Sequence, residues 1–220
     1  MYKLALVLST TPSVNVFRAA LHSAFNSCYF DDFLICSGFF HQRSTKKGSF
    51  FASDAFSTAV LPHPSTVTVV GSYDPASTEF ADFVNTLVSS LRTTSGSPVS
   101  VSKRFSKKKY ANHWHAKIFI ARRGDEHSFA VIGSSNLTRH AFNIKASNNE
   151  ADVIIWNEDD LTTKSIVESA FSLNLNDQNN MNFPTIIIAN YDQDSRLNSF
   201  NADMNERLAQ LWRDVISVTR

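Results

Sequence analysis

Between residues 2 and 92, short apolar runs of strand length alternate with longer segments whose apolar residues recur every three or four positions, and this alternation restricts the fold most sharply. YKLALVL (2 to 8), DDFLICSGFF (31 to 40) and TVTVVGSY (66 to 73) read as buried strands. PSVNVFRAALHSAF (12 to 25), a segment from Ser49 to Val60, and PASTEFADFVNTLVSSLR (75 to 92) read as helices. The first carries Pro12 in its opening turn; the third has Asp74 as N-cap, Pro75 at its first position and Glu79 near the positive end of its dipole. After the turn TTSGSP come four strand-like runs, PVSVSKRF, HWHAKIFI, SFAVIG and ADVIIW. Alternating β and α units followed by several strands predict an α/β domain with a mixed sheet and helices on both faces.

The totals agree with such a fold. A chain of 220 residues, 43% of them hydrophobic, can fill a substantial core without staples. Cys28 and Cys36 form no CxxC or paired metal spacing, and such sparse usage fits a reducing, cytoplasmic setting. The opening MYKLALVLSTTPSV has one lysine and no clear cleavage site, so a first buried strand is expected there rather than a signal peptide. No stretch approaches the roughly 20 apolar residues that span a bilayer, and no stable membrane association is expected. Neither an internal repeat nor a low-complexity linker is evident. NLNDQNNMNFP (174 to 184) reads as a loop that divides a main domain, 1 to 172, from a C-terminal loop and helix, 173 to 220. In that helix Met204, Leu208, Leu211, Trp212 and Val215 share one stripe, which would pack on the domain or cover a subunit interface.

Net charge is only +1, but the charges are segregated. From Phe83 to Gly124 there are nine Lys or Arg and no acid, whereas from Glu150 to Arg220 twelve acids face five bases. A solvated positive face is the plain reading of such a run. An anionic partner is the alternative: Lys103, Arg104, Lys107, Lys108 and Lys109 would meet successive phosphates, while Phe105 and Tyr110 stack or pack.

The basic segment runs into HWHAKIFI, where His113, His115 and Lys117 emerge on one face of a strand. Two such histidines could bind zinc with Glu150 or Asp152, but an ammonium on the same face would repel the ion. GSSNL lacks the second glycine of a nucleophile elbow, and neither a Walker motif nor GxGxxG is present. What remains is phosphate chemistry without a metal. In AVIGSSNLTRHAF a strand runs into Gly133, Ser134, Ser135 and Asn136, then into a helix-like LTRHAF whose opening N–H groups could hold phosphate oxygens.

His115-Ala-Lys117 followed by Gly133-Ser134-Ser135-Asn136 resembles the HxK…GSxN signature of the phospholipase D superfamily, and NNEADVII resembles the strand that supplies its acidic partner, Glu150. The resemblance implies the family's α-β-α sandwich and a metal-independent, cofactor-free phosphodiesterase. Its longer pattern often places Asp five residues beyond the lysine, where this chain has Arg122. The chain also has a single HxK, and short members of this kind assemble as homodimers that share one site. By that resemblance His115 attacks phosphorus while the partner's copy protonates the leaving oxygen; Lys117 and Asn136 stabilise the non-bridging oxygens and Glu150 orients the imidazole. Ser134 or Ser135 would add a donor, Gly133 would give room, and His113 would touch substrate. The expected activity is an endonuclease acting on DNA or RNA through a phosphohistidine. A phospholipase or phosphatidyl transferase, and a non-catalytic nucleic-acid-binding dimer, are the alternatives.

Overall fold

A computed structural model describes residues 1–9, 13–42, 50–56, 59–71, 78–106, 116–143, 145–146, 149–175, 184–191 and 202–220. Its frame is one eight-stranded sheet made of β1 (Tyr2–Ser9), β2 (Asp32–Cys36), β3 (Thr66–Gly71), β4 (Ser100–Phe105), β5 (Lys117–Arg123), β6 (Glu126–Gly133), β7 (Glu150–Asn157) and β8 (Thr185–Asn190). The spatial order is β8-β1-β7-β6-β5-β2-β3-β4. β2, β3 and β4 run parallel, whereas every other pairing is antiparallel, so the sheet is mixed as the sequence predicts.

Strand alternation supplies two apolar faces. One face presents Ala5, Val7, Phe33, Ile35, Val67, Val69, Phe119, Phe129, Val131, Ile154 and Trp156 to the larger core. Over it lie α1 (Val16–Asn26), α2 (Thr78–Ser90) and α3 (Leu161–Leu175). α1 buries Phe17, Leu21 and Phe25, and α2 buries Phe80, Phe83 and Leu87. Phenylalanines dominate this layer, with Phe25 tilted on Phe33 at 4.6 Å and Phe56 stacked on Phe142 at 5.6 Å. The other face presents Leu34, Cys36, Val70, Ile118, Ile120, Ala130 and Ile155 to α4 (Met204–Val218), which buries Met204, Leu208, Trp212 and Val215. The result is an α-β-α sandwich.

Several local expectations change. The first helix begins at Val16, with Asn15 as its N-cap accepting from Arg18 N at 2.8 Å, rather than near Pro12. Asp74 and Pro75 lie outside the described residues. The segment from Ser49 to Val60, expected as a helix, holds the short strand Phe50–Phe51, a single 3-10 turn over Ala52–Ala55, and the start of the strand Val60–Leu61. Its aromatic and β-branched ends favour extended backbone, and the polar middle supplies only one turn. The C-terminal segment contains a strand as well as a helix: β8 pairs with β1 from Leu8↔Thr185 to Lys3↔Asn190. α3, absent from the sequence reading, is capped by Asp160, whose Oδ1 accepts from Thr162 N at 2.8 Å.

Candidate active site

Strand directions bring one set of strand ends together. β2, β3 and β4 end with their carboxyl termini on the same edge of the sheet as the ends of β1 and β6 and the starts of β5 and β7. Ligands of α/β sheets bind at such an edge, beyond the carboxyl ends of parallel strands. On one face of this edge the register aligns Val7, Asp152, Gly133 and Lys117 across four adjacent strands, while Glu150, two residues before Asp152, pairs with Ser9.

Lys117 is half-buried, and burial draws its pKa below the ordinary lysine value while the charge of Glu150 pulls it back up. The two groups therefore sense each other electrostatically. Ser134 lies between their strands, with its exposed hydroxyl donating to Glu150 Oε2 and accepting from Ala151 N at 3.0 Å. Ser134 N donates to Ala151 O at 3.0 Å, which continues the β6–β7 ladder one step past Gly133.

Ser135 turns the other way. It is 2% exposed, its hydroxyl donates to Asp152 Oδ2 at 2.6 Å and its N–H to Asp152 Oδ1 at 3.2 Å. Asp152 is itself 1% exposed, and burial raises its pKa above the usual carboxylate range, against the lowering effect of the two Ser135 bonds. Asn136 is half-exposed: its Oδ1 lies 3.3 Å from Ser37 Oγ, and among the described residues its Nδ2 has no protein partner. Ser37, buried at the end of β2, also accepts from Leu137 N at 3.2 Å, and its single hydroxyl hydrogen serves either Phe39 O at 2.6 Å or Asn136 Oδ1. Beyond Leu137 the chain makes a single helical turn, Arg139–Phe142, whose carbonyls are held by α1: Asn15 Nδ2 donates to Ala141 O at 2.7 Å and Arg18 Nη1 to Phe142 O at 3.0 Å.

This geometry revises the phosphate reading. The helical turn starts three residues after Asn136 and is one turn long, so no helix N-terminus opens at GSSN. The N–H groups of Ser134, Ser135 and Leu137 are already spent on Ala151 O, Asp152 and Ser37. Donors to an anion here are side chains: the Lys117 ammonium and the Asn136 amide, while the Ser134 hydroxyl hydrogen is held by Glu150. Ser135 faces the interior and supplies no donor to the edge. Gly133 is required by a close approach inside the sheet, because a Cβ there would lie 2.0 Å from Asp152 Oδ1 and 2.6 Å from Ala151 O.

His113 and His115 lie outside the described residues, as do Lys107, Lys108 and Lys109. Among the described residues no three His, Cys, Asp or Glu side chains gather in a metal-binding arrangement. Lys103 is exposed on edge strand β4, with its ammonium 5.5 Å from the Phe105 ring. Arg104 is not a phosphate contact of the expected kind. It points to the opposite face, where Nε donates to Thr219 Oγ1 at 2.8 Å and Nη2 to Ile216 O and Thr219 O, capping the end of α4. Arg122, standing where the family often has Asp, donates through Nε to Asp32 Oδ2 at 2.9 Å and lies 4.7 Å from the Trp212 ring. Sequence reading missed the anchoring roles of Asp152 and Ser37. Asp152 was legible only as a possible metal ligand, although its spacing of two from Glu150 puts both acids on one strand face.

A mixed α/β sheet thus carries a lysine, a hydroxyl, an amide and a carboxylate at its strand-end edge, groups whose charge and hydrogen-bonding capacity suit a phosphoester. Residues 65–173, which contain every described member of this cluster except Ser37, match the family "Cardiolipin synthase, PLD-like domain". That match identifies residues 65–173 as a phospholipase D-like domain. The crystal structure of phosphatidylserine synthase from Haemophilus influenzae Rd KW20 is similar over 98% of this chain and 46% of that one, with 12% identity and a TM-score of 0.42. The chain thus spans less than half the length of that protein. No curated protein matches it in sequence. No helix among the described residues is long and apolar enough to cross a membrane.

Proposed function

We propose that the protein is a metal-independent endonuclease that cleaves DNA or RNA through a phosphohistidine, in a site completed by a second copy of the chain. The observation that carries this reading is the convergence of Lys117, Ser134, Asn136 and Glu150 on one sheet edge, in a chain whose single HxK supplies one imidazole. His115 attacks phosphorus, the bond to the leaving oxygen breaks, and the partner's histidine donates the proton that the leaving oxygen takes. Water, deprotonated by that second histidine, then displaces the first and restores both groups. Lys117 and Asn136 hold the non-bridging oxygens as charge builds on them, and Glu150 fixes the imidazole tautomer.

Nucleic acid is favoured over other phosphodiesters by the acid-free stretch from Phe83 to Gly124, with Lys103, Lys107, Lys108 and Lys109 as backbone contacts. Phe39 adds to this. Its side chain is 57% exposed next to the site, and its backbone is tied through Ser37 to Asn136, a suitable position for a base to stack. A second reading, phosphatidyl transfer, is favoured by the family's own description as a cardiolipin synthase domain.

One experiment separates them. Purified protein is incubated in EDTA with labelled single- and double-stranded DNA, with RNA, and with phosphatidylcholine vesicles. Nucleic-acid fragments in chelator, with binding that weakens steeply as salt rises, are expected. Choline release without fragments would establish the lipid reading instead, and cleavage abolished by EDTA would overturn the metal-free chemistry.

A further inference from the structure

Asp152 has no role in the chemistry above, and a carboxylate buried this deeply is costly unless its oxygens are satisfied. Both oxygens are satisfied: Oδ1 takes the Ser135 N–H at 3.2 Å and Oδ2 takes the Ser135 hydroxyl at 2.6 Å. The slot that the carboxylate occupies exists because residue 133 is glycine, since a Cβ there would sit 2.0 Å from Oδ1. Three consecutive loop residues are thus tethered to three different places: Ser134 to Glu150, Ser135 to Asp152 and Asn136 to Ser37. Ser134 is exposed, Ser135 buried and Asn136 half-exposed.

We propose that Asp152 is a positioning residue for the phosphate-binding loop, holding Ser135 inward so that Ser134 meets Glu150 and the Asn136 amide is presented to the phosphate. The proposal rests on the reading of this edge as the phosphodiester site. Residues 134–136 lie beyond the end of β6, with a bend at Ser134, so an anchor on the middle residue fixes the backbone from which its two neighbours project. Asp152 and Glu150 share a strand face, so the strand that carries the expected imidazole partner also sets the direction of the groups opposite it. Losing the anchor misaims the amide donor that acts on developing charge. The cost then falls on turnover more than on binding, and misplacement by about 1 Å is worth up to ~100-fold.

The test measures kcat and KM on bis(p-nitrophenyl) phosphate, and inhibition by orthovanadate as a five-coordinate phosphate mimic, for the wild type, Ser135→Ala, Asp152→Asn, Asp152→Ala and Lys117→Ala. Thermal melting checks the folding of each. Ser135→Ala, which deletes one hydroxyl, and Asp152→Ala are expected to lose about 10-fold or more in kcat with KM nearly unchanged, and to weaken vanadate by a similar factor. Asp152→Asn keeps an acceptor for the Ser135 N–H and should restore most of the turnover. If Asp152→Ala fails to fold, Ser135→Ala decides. Wild-type kcat in folded Ser135→Ala, alongside an inactive Lys117→Ala, would overturn the positioning role and leave the site reading intact. Wild-type turnover in Lys117→Ala would overturn the site reading and the proposal with it.

Discussion

A methyl group added at Gly133 would collide with Asp152 Oδ1 and with the backbone oxygen of Ala151, and only the first of these atoms belongs to a side chain that can move. Gly133→Ala should therefore separate β6 from β7 at the strand end and expel the Asp152 carboxylate from its slot. Overpacking of this kind costs about 1–3 kcal/mol. The expected result is a lower urea midpoint with a slope like that of the wild type, together with reduced turnover; an unchanged midpoint would show that the sheet edge yields freely. Sequence reading took this glycine as room for substrate, because a glycine at a strand end is ambiguous between a close ligand and a close neighbouring strand. The two serines were likewise interchangeable on paper. What separates them is the continuation of the β6–β7 ladder through Ser134 N to Ala151 O, which leaves Ser134 outside and turns Ser135 onto Asp152. No pattern in GSSN encodes that direction. Lys117, Asn136 and Glu150 were legible because their spacing follows a known signature, whereas Ser37 and Asp152 act through a fold that only the assembled sheet displays.

At the level of elements, the strands with strong β-branched runs were readable and the short or weakly amphipathic pieces were not. TIIIAN after Pro184 carried a strand signal that the surrounding asparagines obscured. α3 buries Ile166, Val167 and Ala170 along a narrow stripe, and the Asp160 cap was the signal that could have revealed it. α4 was legible from its apolar stripe, but not what holds its end. Arg104 does this from β4, and the chain after α4 closes on the same strand, with Phe105 N donating to Arg220 O at 2.8 Å and Arg220 N to Phe105 O at 2.9 Å. A positively charged side chain at a helix C-terminus also suits the negative end of the dipole. Arg104→Ala should accordingly loosen Met204–Val218, destabilising the protein by roughly 1–3 kcal/mol. Faster amide exchange in that helix, with an unchanged salt slope for nucleic-acid binding, is the expected pair of results. A reduced salt slope with normal helix protection would return Arg104 to the phosphate contacts from which its geometry removes it.

For the whole molecule, the decisive quantity is the number of reactive groups on one edge. A displacement at phosphorus that passes through a phosphohistidine needs a nucleophile on one side and a proton donor on the other. This chain supplies one HxK, and the described residues of the edge contribute a lysine, an amide and a carboxylate. Charge points the same way: a basic middle and an acidic end would let two copies approach with unlike surfaces facing. Closed twofold assembly is the commonest way for a soluble chain to double its site. If the two copies share one site, inactive Lys117→Ala chains co-refolded with an equal amount of wild type should leave only about one quarter of the dimers with both lysines intact. Activity per total wild-type chain should then fall to about half its value, and the activity should sediment with the mass of two chains. A response strictly proportional to the wild-type chains present, in a species sedimenting as one chain, would show that each molecule carries a complete site and that its second proton-transfer group must be sought within the chain itself.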